Sequence, residues 1–175
     1  VIETKSYSGN QFEKNATNTR MHRRASGYIT FSPLGISLLD GDPLYTLGIK
    51  IGNKFYFNAK SDSKWKAGIE LEWLDFMPMA NFSADDFYFS ASFLKPGFGG
   101  SYYINEKTGI DIGANIGANI LYEVDYGIDD VGIDLNIHTE YFVKSFSVGL
   151  NYQNIFGFVS EYRTYSFGIY IGWRI

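Results

Sequence analysis

"GIDIGANIGANILYEV" occupies residues 109–124. Its even positions are Ile110, Ile112, Ala114, Ile116, Ala118, Ile120, Tyr122 and Val124, and Asp111, Gly113, Asn115, Gly117 and Asn119 fall between them. A period of two is the mark of an extended strand with one face in an apolar medium. A helix would scatter the same residues around its axis. The run is also far longer than the 5 or so residues usual for a strand of a globular sheet.

The pattern recurs along the chain. "VGIDLNIHTEYFV" (131–143) sets Val131, Ile133, Leu135, Ile137, Thr139, Tyr141 and Val143 against Gly132, Asp134, Asn136, His138 and Glu140. "YTLGIKIGNKFYF" (45–57) alternates with Asn53 as the single polar residue on its apolar side. "KWKAGIELEW" (64–73), "FSVGLNYQ" (146–153) and "SFGIYIGWRI" (166–175) behave alike. Near residues 28–39 the phase changes at Pro33, which predicts a bulge there. It changes again across "KPGFGG" (95–100). One long bulged strand over 86–104 makes eight strands, and a hairpin at Pro96-Gly97 makes nine. Bacterial membrane barrels favour even counts, so eight is the expected number, the chain dividing into a barrel over 27–175 and a polar extension over 1–26. That extension, ending in Arg20, His22, Arg23 and Arg24, shows no alternation and reads as a segment outside the barrel.

Composition narrows the class. The 175 residues hold no cysteine and two histidines, which removes disulfides and thiolate or multi-histidine metal sites. No cofactor is expected. A net charge of −4 argues against a nucleic-acid partner. No run of about 18 apolar residues offers a transmembrane helix. Aromatic residues reach 18% and there are 19 glycines, a mixture that fits many strands.

The orientation of the polar face decides between a soluble sandwich and a membrane barrel. Gly48, Gly52, Gly68, Gly113, Gly117, Gly132, Gly149, Gly168 and Gly172 crowd that face. Small residues belong on the concave side of a narrow barrel. Trp65 and Trp73 lie eight residues apart on one strand, as do Tyr165 and Trp173 on the last. At about 3.4 Å per residue and a tilt of about 40° such pairs rise roughly 21 Å, close to the separation of aromatic girdles. The apolar face is therefore assigned to lipid, with these four aromatics as girdle residues. Lys50, Lys54, Lys66, Glu70, Glu72, Asp111, Asp134, His138, Glu140 and Arg174 then face the lumen as a structural charge network, with Lys50 opposite Glu72.

The last strand carries Ser166-x-Gly168-x-x-Ile171-x-Trp173, which resembles the C-terminal assembly signal of outer-membrane barrels, although Arg174 and Ile175 follow the aromatic residue. The pattern over 27–175 resembles the small eight-stranded barrels of the OmpA, OmpX and OmpW kind. That resemblance implies an antiparallel up-and-down barrel in the outer membrane of a diderm bacterium. It also implies outer-membrane lipid and the barrel-assembly machinery as partners, and a periplasmic extension.

The expected role is non-enzymatic: a scaffold, adhesion or interaction module with a possible protein partner in the outer membrane or periplasm. A narrow channel or transporter of small apolar ligands is the first alternative, and a soluble lipocalin-like carrier the second. His138 and Glu140 raise a hydrolase reading, but both point to the lumen while Thr139 points outward. The loops expected outside the cell are "LDGDP" (39–43), "FMPMANFSADD" (76–86), "DYGIDD" (125–130) and "GFVSEYR" (157–163).

Overall fold

The computed structural model describes residues 25–58, 63–81, 86–124, 127–159 and 163–175. The extension assigned to 1–26 lies outside these, apart from Ala25 and Ser26, which already pair with Phe55 and Lys54 as strand.

Eight strands follow one another: β1 (Ala25–Leu39), β2 (Asp42–Tyr56), β3 (Trp65–Asn81), β4 (Asp86–Asn105), β5 (Thr108–Glu123), β6 (Gly127–Val143), β7 (Phe146–Gly157) and β8 (Arg163–Arg174). Each pairs antiparallel with the next, and β8 pairs with β1 to close the barrel. The closing seam runs from Tyr28 opposite Arg174 to Leu39 opposite Thr164. No edge is left, which is what hydrocarbon demands of a sheet.

Both phase changes are bulges. In β1 the register slips between Phe31 and Leu34 on the β8 side and between Ser32 and Gly35 on the β2 side, around Pro33. β4 is continuous over 20 residues, and its slip lies between Phe93 and Gly97. Leu94 takes a φ of 52° there, and both Phe93 and Leu94 face outward before Lys95 turns in. Pro96-Gly97 is therefore part of the strand, and the ladder to β3 passes through it at Leu71–Pro96 and Glu70–Gly97.

The segment 76–86 is mostly strand, contrary to its reading as a loop. β3 continues to Asn81 and β4 resumes at Asp86, paired from Phe76–Ala91 to Asn81–Asp86. Pro78 does not stop it, because the ladder to β2 is interrupted there between Thr46–Met79 and Ile49–Phe76 while the pairing to β4 continues at Phe89, so the missing donor falls where β3 is already unpaired on one side.

The two faces differ in kind. Ile112, Ile116, Ile137, Leu150, Phe167 and Ile169 are 45–61% exposed on the outside. Asp111, Asp134, Lys95 and Ser92 are fully buried inside. This inverts a water-soluble protein, whose charges face solvent, and it suits a barrel in lipid. A depth series tests this placement in lipid. Ile116→Arg, mid-strand and outward, is expected to destabilise the folded barrel by about 2–4 kcal/mol, and Tyr122→Arg, near the strand end, by about 0–1 kcal/mol. Urea unfolding in lipid vesicles measures both; equal costs would refute the assigned depths, and no cost at Ile116 would refute the facing.

Candidate functional site: the sealed, charged lumen

The interior is built in layers. At the end away from the termini, Leu39, Leu44, Met77, Met79, Leu121 and Ile155 pack into a buried apolar cluster joined by Tyr88. At the terminal end, the rings of Tyr103 and Phe142 meet edge-on at 5.4 Å, and the hydroxyls of Tyr56 and Ser101 bond at 2.8 Å. Among the described residues the buried charge lies between these two plugs, apart from Asp130, which sits beside Leu121 and accepts from the amides of Phe158 and Val159 at 3.2 and 3.0 Å, and Lys66, whose ammonium donates to the carbonyl of Asn58 at 3.3 Å.

Lys95 centres the upper charge cluster. Its ammonium contacts Glu72 at 2.6 Å, Asp75 at 2.7 Å and Asp134 at 2.8 Å with the side chain wholly buried. Lys50 adds a second cation on Asp75 at 2.9 Å. The amide of Gln153 donates to Asp75 and Asp134 at 3.0 and 2.7 Å, and the Ser92 hydroxyl donates to Asp134 at 2.7 Å. Room for Lys95 comes from Gly117: a Cβ there would lie 2.3 Å from the lysine Cγ.

Lys54 and Arg174 hold the lower cluster. Lys54 contacts Asp111 at 2.6 Å, Glu140 at 3.6 Å and Glu70 at 3.9 Å. Arg174 bonds Asp111 and Glu140 and lies 4.0 Å above the ring of Phe142. His138 Nε2 sits 3.4 Å from Glu70, beside Gly113, where a Cβ would come within 2.4 Å of the imidazole. A cavity of about 20 Å³ separates the layers, lined by Tyr28, Lys50, Glu70, Asn136, His138 and Tyr170 among others. That is space for about one water, not for a column of them.

The structure thus gathers Lys50, Glu70, Glu72, Asp111, Asp134, His138, Glu140 and Arg174 inside the barrel. Two placements differ from expectation. Lys50 lies opposite Asp75, not Glu72, and Glu72 lies opposite Gly52. The cause is a β2–β3 register two residues longer than expected, with Lys54 opposite Glu70, and a bulge that leaves Trp73 without a β2 partner between Ile51–Leu74 and Gly52–Glu72. Trp73 itself falls midway along β3, not in a girdle at a strand end, and its indole N–H donates to Asn53 Oδ1 at 2.6 Å. This bond satisfies the one polar residue on the outer face of β2. Trp65, beside Tyr102 at 5.4 Å, and Trp173, beside Phe146 at 6.0 Å, lie near the terminal end, and Tyr165 lies near the other. In β8, Ser166 and Gly168 face inward, Trp173 outward and Ile171 is half-exposed. Asp75 and Lys95 were missed because each lies just past a bulge, where alternation read from one end assigns the wrong face.

The sequence matches no family model and no curated protein. The fold does have relatives among solved structures. The outer membrane enzyme PagL superposes with a TM-score of 0.58 at 14% identity, covering 85% of this chain and 99% of that one. Neisserial surface protein A superposes with a TM-score of 0.57 at 12% identity, covering 86% and 97%. The chain is therefore an eight-stranded β-barrel of the outer-membrane type.

Removing Lys95 takes the cation from Glu72 and Asp134 inside the barrel and leaves Asp75 with Lys50 alone. Lys95→Ala is expected to cost about 3–5 kcal/mol, the range for breaking a buried ion pair from one side. Adding Asp134→Asn should restore part of that loss. Refolding yields and urea midpoints in detergent measure both, and a Lys95→Ala barrel as stable as the parent would refute the cluster's role.

Proposed function

We propose that this chain is a non-conducting, non-enzymatic barrel of the outer membrane of a diderm bacterium, acting through its rims as a scaffold, adhesion or interaction module. The observation that carries the reading is the sealed lumen. Charges that could guide an ion are already bonded to one another, and an apolar plug at one end and an aromatic one at the other close the path. An eight-stranded barrel has an interior about wide enough for its own side chains.

An enzyme acting on membrane lipid would need its catalytic groups on the outer face. His22 lies outside the described residues, and His138 is buried in the lumen beside Glu70. Thr139 faces lipid, and its hydroxyl donates to the carbonyl of Asp111 at 3.1 Å. This arrangement favours the non-enzymatic reading over that of a lipid-modifying enzyme. A lipocalin-like carrier would need an apolar interior, and this one is charged.

In this reading the termini face the periplasm, together with the extension 1–26, the assembly machinery engages β8 through Ser166, Gly168, Ile171 and Trp173 during insertion, and partners meet the barrel at its loops. Planar bilayers provide the test. The purified barrel should give no channel events above the lipid baseline in molar salt. Sustained, reproducible conductance from a heat-modifiable preparation would overturn the closed-lumen reading. On intact cells, an added protease should cut within 82–85 or 160–162 and spare 1–26.

A further inference from the structure

The rims of the barrel carry opposite charge. At the end away from the termini stand Asp40, Asp42, Asp86 and Glu123, with Arg163 as the cation among the described residues there. At the terminal end the turns carry Lys64, then Glu106 and Lys107, then Lys144, and all four side chains are exposed. None of these three lysines forms an ion pair among the described residues.

Two of those turns are joined. The Lys144 amide donates to the Lys107 carbonyl at 2.6 Å, so the β4–β5 and β6–β7 turns sit side by side and their two exposed lysines are neighbours on the rim. The strand ends above them carry Val143, Phe146 and Trp173 on the lipid face, in register from Val143–Phe146 to Phe146–Trp173. Apolar and aromatic contact for lipid chains therefore lies just inside a pair of cations at the membrane boundary.

The backbone adds an independent sign. Lys144 takes a φ of 54° in a two-residue hairpin turn. Tight hairpin turns need positive φ and favour Asn or Gly there. The β1–β2 turn at the other rim complies, with Asp40 at φ 49° and Gly41 at φ 99°. A lysine in the left-handed region gives up backbone stability that Asn or Gly would keep, so the turn alone does not account for a lysine at this position.

We infer that Lys107 and Lys144 form a binding site for the phosphate of an anionic phospholipid headgroup at the terminal rim, with Phe146 and Trp173 flanking the lipid's glycerol and upper chain. The inference rests on the membrane reading above but not on which rim faces the periplasm. A basic residue held at an anionic lipid surface contributes enough to change a partition roughly fivefold. Glu106 shares the turn with Lys107 and opposes it.

The test uses the full chain in phosphatidylcholine nanodiscs containing a minor fraction of spin-labelled phosphatidylglycerol. The protein should retain phosphatidylglycerol over phosphatidylcholine. Lys107→Gln and Lys144→Asn should each lower the preference roughly fivefold at low salt, and Glu106→Gln should raise it. Lys144→Asn suits the turn, so the barrel should be as stable as the parent or more so while losing preference. No preference for phosphatidylglycerol in an embedded barrel overturns the site. So does an equal loss on Lys64→Gln, which would mean diffuse rim charge in place of a paired site. A chain that fails to embed in the nanodisc counts instead against the membrane reading.

Discussion

Hydrocarbon supplies no hydrogen-bond partner, so each backbone N–H and C=O of a spanning segment must be met within the chain. The rest of this structure depends on that constraint. A sheet meets it only by closing, and the seam between β1 and β8 closes this one, from Tyr28–Arg174 to Leu39–Thr164. Bulges are compatible with closure because each removes a pairing locally and leaves the ladder intact on either side. The chain uses them at Pro33, Trp73 and Leu94, where an apolar residue takes up the extra step and stays on the lipid face.

Closing eight strands leaves a narrow interior. What fits there is a compromise between filling and charge. Gly113 and Gly117 give up side chains so that His138, Glu70 and Lys95 can cross the lumen. The long cations then reach carboxylates on other strands: Lys95 from β4 to β3 and β6, and Arg174 from β8 to β5 and β6. These ties run across the barrel as well as along its wall. They couple strands that share no ladder, so the interior behaves as a cross-brace.

Sequence alternation makes the strand count, the facing and most lumen residues legible. Asp111, Asp134, His138 and Glu140 lie on unbroken runs and were placed from the pattern alone. Register is less legible, because it depends on turn length and bulges, which act between strands and leave weak local marks. Lys50 was paired with Glu72 for that reason, when one skipped residue at Trp73 and a longer turn bring Asp75 to it. The height of Trp73 was misjudged for a related cause. Spacing along a single strand measures a rise but gives no origin, and the origin here is set by β3 running on to Asn81. The long strand over 86–104 is legible as one element, but the position of its bulge is not, so alternation carried on from Phe93 puts Lys95 on the outer face when the extra step at Leu94 turns it inward. The apolar plug of Leu39, Leu44, Met77, Met79, Leu121 and Ile155 was not seen either, because its members come from five strands and sit on faces that are polar elsewhere.

Burying so many charges stabilises little by itself, because the desolvation of each ion offsets most of its attraction. Their value lies in what they exclude. A strand apolar on both faces could insert with either face in lipid, and a slip of one residue exchanges the faces completely. In β5 that slip would put Asp111, Asn115 and Asn119 into hydrocarbon, and in β3 it would expose Glu70, Glu72 and Asp75. A charged side chain on the lipid face costs up to about 2–4 kcal/mol at the midplane, for Arg or Lys, and somewhat less for a carboxylate. Several such penalties on one strand exceed the few kcal/mol by which folded proteins are stable at all. The charges that fill the lumen therefore also fix the register and facing of the strands that carry them.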